Sequence, residues 1–524
     1  MLSKDGTWGR LSFADVVPTG GAPIFPATHG GHSVAISPPE PGTLASGDGQ
    51  PDEVEKKLHG HMGVFDIVFT VLAFNAPMSV FVGFITVIVG YGNGLGAPLT
   101  FIAAGCLMLI FAVGFTAMSR YLPNPGAFYA YITAGLGRPV GLGASFVAIV
   151  SYFFILIGGY AFGGLSLQTL VRDTLHGPDI EWWIYTMVVM GVVAVLGYFS
   201  INLSAKILMV CMILESLMMV TYDTVVFARG GESGIHFNSF TPHEAFSGEL
   251  GLAVIFGIVC FSGFEATAVF REEARDPERT VPRATYTAIL FLLTLYALTA
   301  WAMINGIGES QVVEASALDP TGTALGTARD YLHTVGVDII TVLLCTSIFA
   351  ANLATHNVST RYIYSLSVDR IFPKVFASVH RFHVSPYRAS IAVTVISYGS
   401  LAACIVFNGQ AGTLYATLVG IGGYSLIMLL LLTSIAVVAY FRQHSEHGVD
   451  LWRSVIAPIV ATALLAAAFV IASRNVDVMI GGSHSLANFL IGLFLGLLVL
   501  GVVVAVILRR THPSVYQRIG RQEL

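Results

Sequence analysis

Cys260-Phe261-Ser262-Gly263-Phe264-Glu265 lies deep inside an apolar run from 249 to 270, and its reading decides the fold. As a helix, the run is long enough to cross a bilayer, which takes about 20 residues. It nevertheless carries a glycine that lets the backbone unwind and a carboxyl group well inside the window. A charged side chain at the centre of a membrane helix costs roughly 2.5–3.5 kcal/mol even on the lenient insertion scale. Glu265 therefore calls for a cavity, a partner or a bound proton. Its nearest cation in sequence is Arg271, at the end of the run. The plainer reading is a neutral carboxyl hydrogen-bonded to backbone.

The rest of the chain has the same character. Of 524 residues, 55% are hydrophobic and only 11% charged, against roughly 25% charged in soluble domains. Apolar windows recur at 64–90, 98–119, 140–170, 182–199, 203–227, 249–270, 283–305, 337–362, 387–407, 411–440, 454–473 and 487–508. The expected architecture is an all-α membrane protein of twelve transmembrane helices. The five cysteines (Cys106, Cys211, Cys260, Cys345 and Cys404) each sit in an apolar window without paired spacing. That argues against disulfides and metal clusters. No cofactor is expected. Nothing basic and interleaved with aromatics suggests nucleic acid. No His-x-x-His or Gly-x-Ser-x-Gly stands in a context suited to a membrane-bound enzyme.

Basic residues test the count. With the N-terminus inside, 22 of the 26 lysines and arginines fall on the cytoplasmic side. Only Arg172, Arg229, Arg329 and Arg474 fall outside. Such a bias is what the positive-inside rule requires of an even number of spans. Both termini are thus expected in the cytoplasm, with the protein in the cell membrane. Residues 1–57 are rich in Gly and Pro, show no signal-peptide pattern, and read as a disordered tail. The expected divisions are this tail, a core at 58–440 holding helices one to ten, helices eleven and twelve at 441–510, and a short tail at 511–524. The loop at 120–139 is expected to be partly helical after its prolines. The outer loop at 306–336 is expected to hold short surface helices, with a turn at Asp319-Pro320-Thr321-Gly322.

A second interruption lies in the first span, at Asn75-Ala76-Pro77-Met78-Ser79. Pro77 lacks an N–H and clashes with the carbonyl of residue 73, so the turn opens or kinks. Asn75 and Ser79 place polar groups beside it; a plain proline kink is the simpler alternative. Spans one and six are the first helices of two five-span halves, and matching interruptions there point to an inverted-repeat transport site. Further intramembrane polar groups are Glu215 in span five, Asp223 two turns on, and Cys345-Thr346-Ser347 and His356 in span eight. Glu215 carries the same cost argument as Glu265. Asp223 reads as interfacial, and Asp66 as a first-turn helix charge. Thr346 and Ser347 either back-bond to their own helix or meet an ion or solute. His356 lies toward the cytoplasmic end.

Phe261-Ser262-Gly263-Phe264-Glu265-Ala266-Thr267-Ala268, then Glu272-Glu273-Ala274-Arg275-Asp276-Pro277 and Thr280-Val281-Pro282-Arg283-Ala284, resemble the Gly-Phe-Glu motif and following loop of the amino acid–polyamine–organocation permease superfamily. Pro125-Gly126-Ala127-Phe128-Tyr129 is similar to its Pro-Gly-Gly-x-Tyr element, and the stretch from Asn357 to Arg370 to its helix-eight exit. The resemblance covers nearly all of residues 60–510. It implies the five-plus-five inverted repeat of the leucine-transporter type with two added C-terminal helices. It also implies a site at the helix-one and helix-six breaks, lined by Asn75, Ala76, Pro77, Met78, Ser79, Ser262, Gly263, Phe264 and Glu265, with Phe264 helping to close the outer path. In relatives, a helix-five lysine or arginine often replaces a sodium ion; the matching position here falls on Glu215. The usual Gly-x-Gly of helix one is replaced by Asn75-Ala76-Pro77. A permease importing an amino acid or small organic amine is the resulting expectation, driven by protons, with sodium as the other candidate ion and Glu215, Glu265, Thr346 and Ser347 in ion coupling. An ion channel or ion importer of the same fold and an exchanger are the alternatives.

Overall fold

The computed structural model describes residues 63–122, 127–199, 205–265, 267, 274–380, 385–407, 409–480 and 483–520. The tail at 1–57, Pro125-Gly126 and Ala268–Glu273 lie outside them. The described chain is helical, as bilayer crossing demands, because lipid offers no partner to a free backbone N–H or C=O.

In chain order the elements are α1 (Val64–Asn75) and α2 (Pro77–Tyr91), α3 (Gly94–Met118), α4 (Ala127–Leu136), α5 (Arg138–Thr174), α6 (Trp182–Tyr198), α7 (Ala205–Arg229) and α8 (Leu250–Val259). There follow α9 (Pro277–Ile307), α10 (Val312–Leu318), α11 (Pro320–Val368), α12 (Tyr387–Val406), α13 (Ala411–Gln443), α14 (Trp452–Arg474), α15 (His484–Thr511) and α16 (Pro513–Arg518). Among the described residues, nine helices are long and apolar enough to cross a membrane. Three further expected spans contain shorter apolar helices: α2, α6 and α8. The protein is therefore a multi-pass membrane protein.

Several loop expectations resolve into helix. Residues 127–136 form α4, and the outer loop carries α10. Asp319-Pro320 begins a helix instead of closing a turn. The Asp319 side chain accepts the Gly322 N–H at 2.9 Å, and proline at the first position gives up no needed donor. The resulting α11 is kinked at His333, whose φ is +59°. Asp66 accepts the Gly63 N–H at 2.8 Å and so caps the first turn of α1.

Close helix crossings rest on small residues, since lipid is as apolar as leucine and association needs tight packing. Gly143 of α5 and Gly501 of α15 face each other with no room for a Cβ on Gly501. His356 is fully buried and ties three helices: Nε2 lies 3.0 Å from Ser390 Oγ, and Nδ1 lies 3.4 Å from Tyr160 Oη. Asp223 is buried, contrary to an interfacial placement. It accepts the Thr299 hydroxyl at 3.0 Å, and its Oδ1 has no hydrogen bond.

The C-terminal end folds back on the bundle. Gly520 N–H and Tyr129 O–H both donate to Asp369 Oδ2, at 3.3 and 2.9 Å. Arg138 stacks over Tyr516, and Ile519 is buried. Burial pushes the Asp369 carboxyl above its usual range, against the hydrogen bond from Tyr129.

Candidate functional site

The first break falls at Ala76. Proline disfavours a right-handed helical residue before it, and Ala76 takes φ +46°, ψ +66°. A left-handed alanine costs roughly 1–2 kcal/mol. The new helix α2 starts from the Ala76 carbonyl, which accepts the Ser79 N–H at 2.8 Å. A helix start leaves its first N–H groups without partners in their own turn and carries partial positive charge. One of them, Met78 N–H, donates to Glu215 Oε2 of α7 at 3.2 Å, from 137 positions away in sequence. The same oxygen receives the Ser347 hydroxyl of α11 at 2.7 Å. Glu215 thus joins the helix-one break, α7 and α11, and is 1% exposed.

The second break follows α8. Phe261 and Ser262 N–H groups turn back onto Ile258 and Val259 carbonyls at 3.1 and 2.9 Å, and the Ser262 hydroxyl adds a bond to Val259 O at 2.7 Å. Gly263 then takes φ +108°, a region open to glycine and strained for other residues. Its N–H donates to Glu265 Oε2 at 2.8 Å, while Glu265 Oε1 accepts the Tyr152 hydroxyl of α5 at 3.1 Å. Glu265 therefore closes the break from which it projects.

The expected residues separate into those that meet and those that do not. Asn75, Ala76, Pro77, Met78 and Ser79 are all buried. Asn75 Nδ2 bonds back to Val71 O, whereas Asn75 Oδ1 and Ser79 Oγ are buried without a hydrogen bond. Ser347 meets Glu215, but its neighbour Thr346 is exposed and bonds back to Leu343 O at 2.9 Å. Phe264 is buried. Its ring packs on Phe111 and Phe115 of α3, at 5.8 and 6.1 Å, in a cluster continued by Tyr131 of α4. That cluster lies toward the 118–122 end of α3.

A second cluster, toward the opposite end where Glu249 N–H meets Gly92 O, is made of rings that sequence reasoning missed. Tyr415 of α13 stacks on Phe162 of α5 at 4.1 Å and touches Phe84 of α2 at 5.3 Å, which in turn meets Phe256 of α8 at 5.8 Å. Gly83 makes the approach possible, since a Cβ there would lie 3.0 Å from Tyr415 Oη. Tyr296 and Tyr415 hydroxyls are further buried groups without a hydrogen bond. No sequence signal marks these residues: aromatics in apolar spans are ordinary packing until four helices bring them together. Buried polar atoms without a hydrogen bond thus lie at the first break, and two clusters of aromatic rings pack elsewhere in the bundle.

Two helices interrupted within apolar spans, with buried polar atoms beside them that have no hydrogen bond among the described residues, are the pattern of a solute-carrying membrane protein. The amino acid permease family matches residues 67–502, and the chain belongs to that family, within the amino acid–polyamine–organocation superfamily. Similar proteins include the low-affinity putrescine importer PlaP of Escherichia coli K12, 24% identical over 359 residues covering 67% of this chain and 75% of the importer. The branched-chain amino acid permease BcaP of Bacillus subtilis is 23% identical over 408 residues, 75% of this chain and 83% of the permease. The lysine-specific permease LysP of Escherichia coli K12 is 22% identical over 379 residues, 68% and 73% of the two chains. The protein is a transporter and not an enzyme.

Proposed function

We propose that this protein imports an amino acid or small organic amine across the cytoplasmic membrane by alternating access, coupled to protons. Twelve spans in a five-plus-five inverted repeat, with both termini inside, are part of the same reading. The relatives' names cover a diamine, a cationic amino acid and branched-chain amino acids. An amino group is common to all of these.

One observation carries the coupling. Glu215 is a buried carboxyl group whose partners among the described residues are a helix-start N–H and a hydroxyl, with no ion pair among those residues. A carboxylate in lipid without a cation is costly, so gain and loss of a proton there changes how firmly α1–α2 is held to α7 and α11. In the proposed cycle, solute binds between Asn75–Ser79 and Ser262–Glu265. The Phe84–Phe162–Tyr415 rings close the outer side, and the Phe111–Phe115–Phe264 rings open the inner one. Deprotonation of Glu215 restores the cradle at Met78 N–H.

The test is uptake of labelled amino acids and amines into proteoliposomes under separate proton and sodium gradients. Accumulation should follow an acid-outside gradient and ignore sodium. Accumulation that follows sodium alone, ion flux without an organic solute, or unchanged proton dependence in both Glu215→Gln and Glu265→Gln would each sink the coupling assignment.

A further inference from the structure

A cavity of about 340 Å³ lies between α5, α6, α7 and α11, on the far side of Glu215 from the helix-one break. Gly163, Val192, Cys211, Glu215, Ser347 and Ala350 are among its lining residues. This volume is at the lower end of small-molecule sites, about 300–1,000 Å³. Its margin is formed by Val188, Val192 and Ile207, which are 55%, 46% and 53% exposed. Apolar side chains exposed on a membrane span face acyl chains, so the cavity opens toward the bilayer.

The walls are mostly apolar, with Thr346 and Ser347 the hydroxyl residues and Glu215 the one ionisable carboxyl group among them. Glu215 Oε2 is committed to Met78 N–H and the Ser347 hydroxyl. Oε1 receives no hydrogen bond from any described residue, and no described Lys, Arg or His pairs with the carboxyl group. An apolar passage that ends on an unpartnered carboxyl oxygen is complementary to one kind of molecule: an apolar body with a cationic head. A fatty acid would bring like charge to Glu215. An alcohol would offer a hydrogen bond without charge pairing.

We propose that this crevice is a second binding site, entered from the lipid, for an amphiphilic organic amine whose ammonium group pairs with Glu215. The occupant pairs with Glu215 of α7 beside Ser347 of α11. The site needs binding only, so it stands or falls apart from the transport reading. Its chemistry differs from that of the central site, which is bounded by buried polar groups instead of lipid-facing ones.

The test uses the full chain in lipid nanodiscs with three eight-carbon probes: n-octylamine, 1-octanol and octanoate. An alkylamine is charged at neutral pH, as a lysine side chain is. Ligand binding to the folded state raises the thermal midpoint. Octylamine should raise it by about 2–4 °C relative to the other two probes, the scale expected of a modest ligand on a large chain. The difference should vanish in Glu215→Gln and in Val192→Phe, which fills the cavity from its exposed margin. A diazirine-bearing octylamine gives an independent reading, because it should label peptides of α6, α7 and α11 in the wild-type protein and lose them in Val192→Phe. Equal shifts with octanol, an octylamine shift that survives Glu215→Gln, or photolabelling confined to other helices would each overturn the proposal. If Glu215→Gln does not fold, the Val192→Phe arms decide the matter.

Discussion

The two helix breaks solve one physical problem in opposite ways. Each leaves backbone N–H groups without partners inside a dry bundle, where an unsatisfied polar group is expensive. At the second break the answer is local: Glu265, two residues from Gly263, supplies the acceptor. At the first break the answer is remote: Met78 N–H reaches Glu215 of α7. A locally closed break keeps its geometry as neighbouring helices move. A break closed by a distant helix holds only while that helix stays in register, and it reports on the state of the acceptor. The comparison teaches that the two intramembrane carboxyl groups, equivalent by their cost, are unequal by their connections. Glu215 bonds across to the helix-one break and to α11, whereas Glu265 bonds within its own break and to Tyr152 of α5; under the proposed cycle the first is the one to couple movement to protonation.

Neutralising each acid is the strongest way to break this contrast. Glu215→Gln is expected to abolish accumulation driven by a proton gradient in proteoliposomes, while Glu265→Gln keeps the gradient dependence at a lower rate. Equal loss in both would erase the distinction. Backbone substitutions should follow with opposite signs. Gly263→Ala puts a Cβ on a φ of +108° and should cost about 1–2 kcal/mol. Ala76→Gly relieves the left-handed alanine and should gain up to about 1 kcal/mol, less the entropy glycine loses on folding. Thermal midpoints of the purified variants read both.

Smaller effects sharpen the comparison further. Tyr152→Phe removes one hydroxyl from Glu265 Oε1 and should cost about 0.5–1.5 kcal/mol. Because Gly263 still holds the other oxygen, solute affinity should be little changed. Ser79→Ala should leave stability nearly untouched, since Ser79 Oγ has no partner to lose. It should instead raise the KM for uptake. A large drop in midpoint with unchanged KM would show that the hydroxyl serves packing and not the solute.

Much of this was legible in the chain. Nine of the hydropathy windows hold long apolar helices among the described residues, and Pro77 and Gly263 marked both interruptions because each has a backbone property visible in one letter. Glu215, Glu265 and Ser347 stood out by their cost or polarity in an apolar run. The exits were less legible. Phe264 carried a motif but no direction, and its ring packs against Phe111 and Phe115 of α3. Thr346 and Ser347 are adjacent, yet helical geometry points them about 100° apart, so only one reaches Glu215. Asp223 looked interfacial from its place near the span's end, but Thr299 of α9 covers it.

The sequence by itself determined that the chain crosses membranes, that two helices are interrupted, and which side chains are too costly to be idle in lipid. These follow from solvent transfer and backbone sterics, which act residue by residue. Only the tertiary structure decided which carboxyl group bonds to which break, which rings pack together, and where the cavity beside Glu215 lies. Such pairings join positions more than a hundred residues apart, and their energies exist only once the helices are packed.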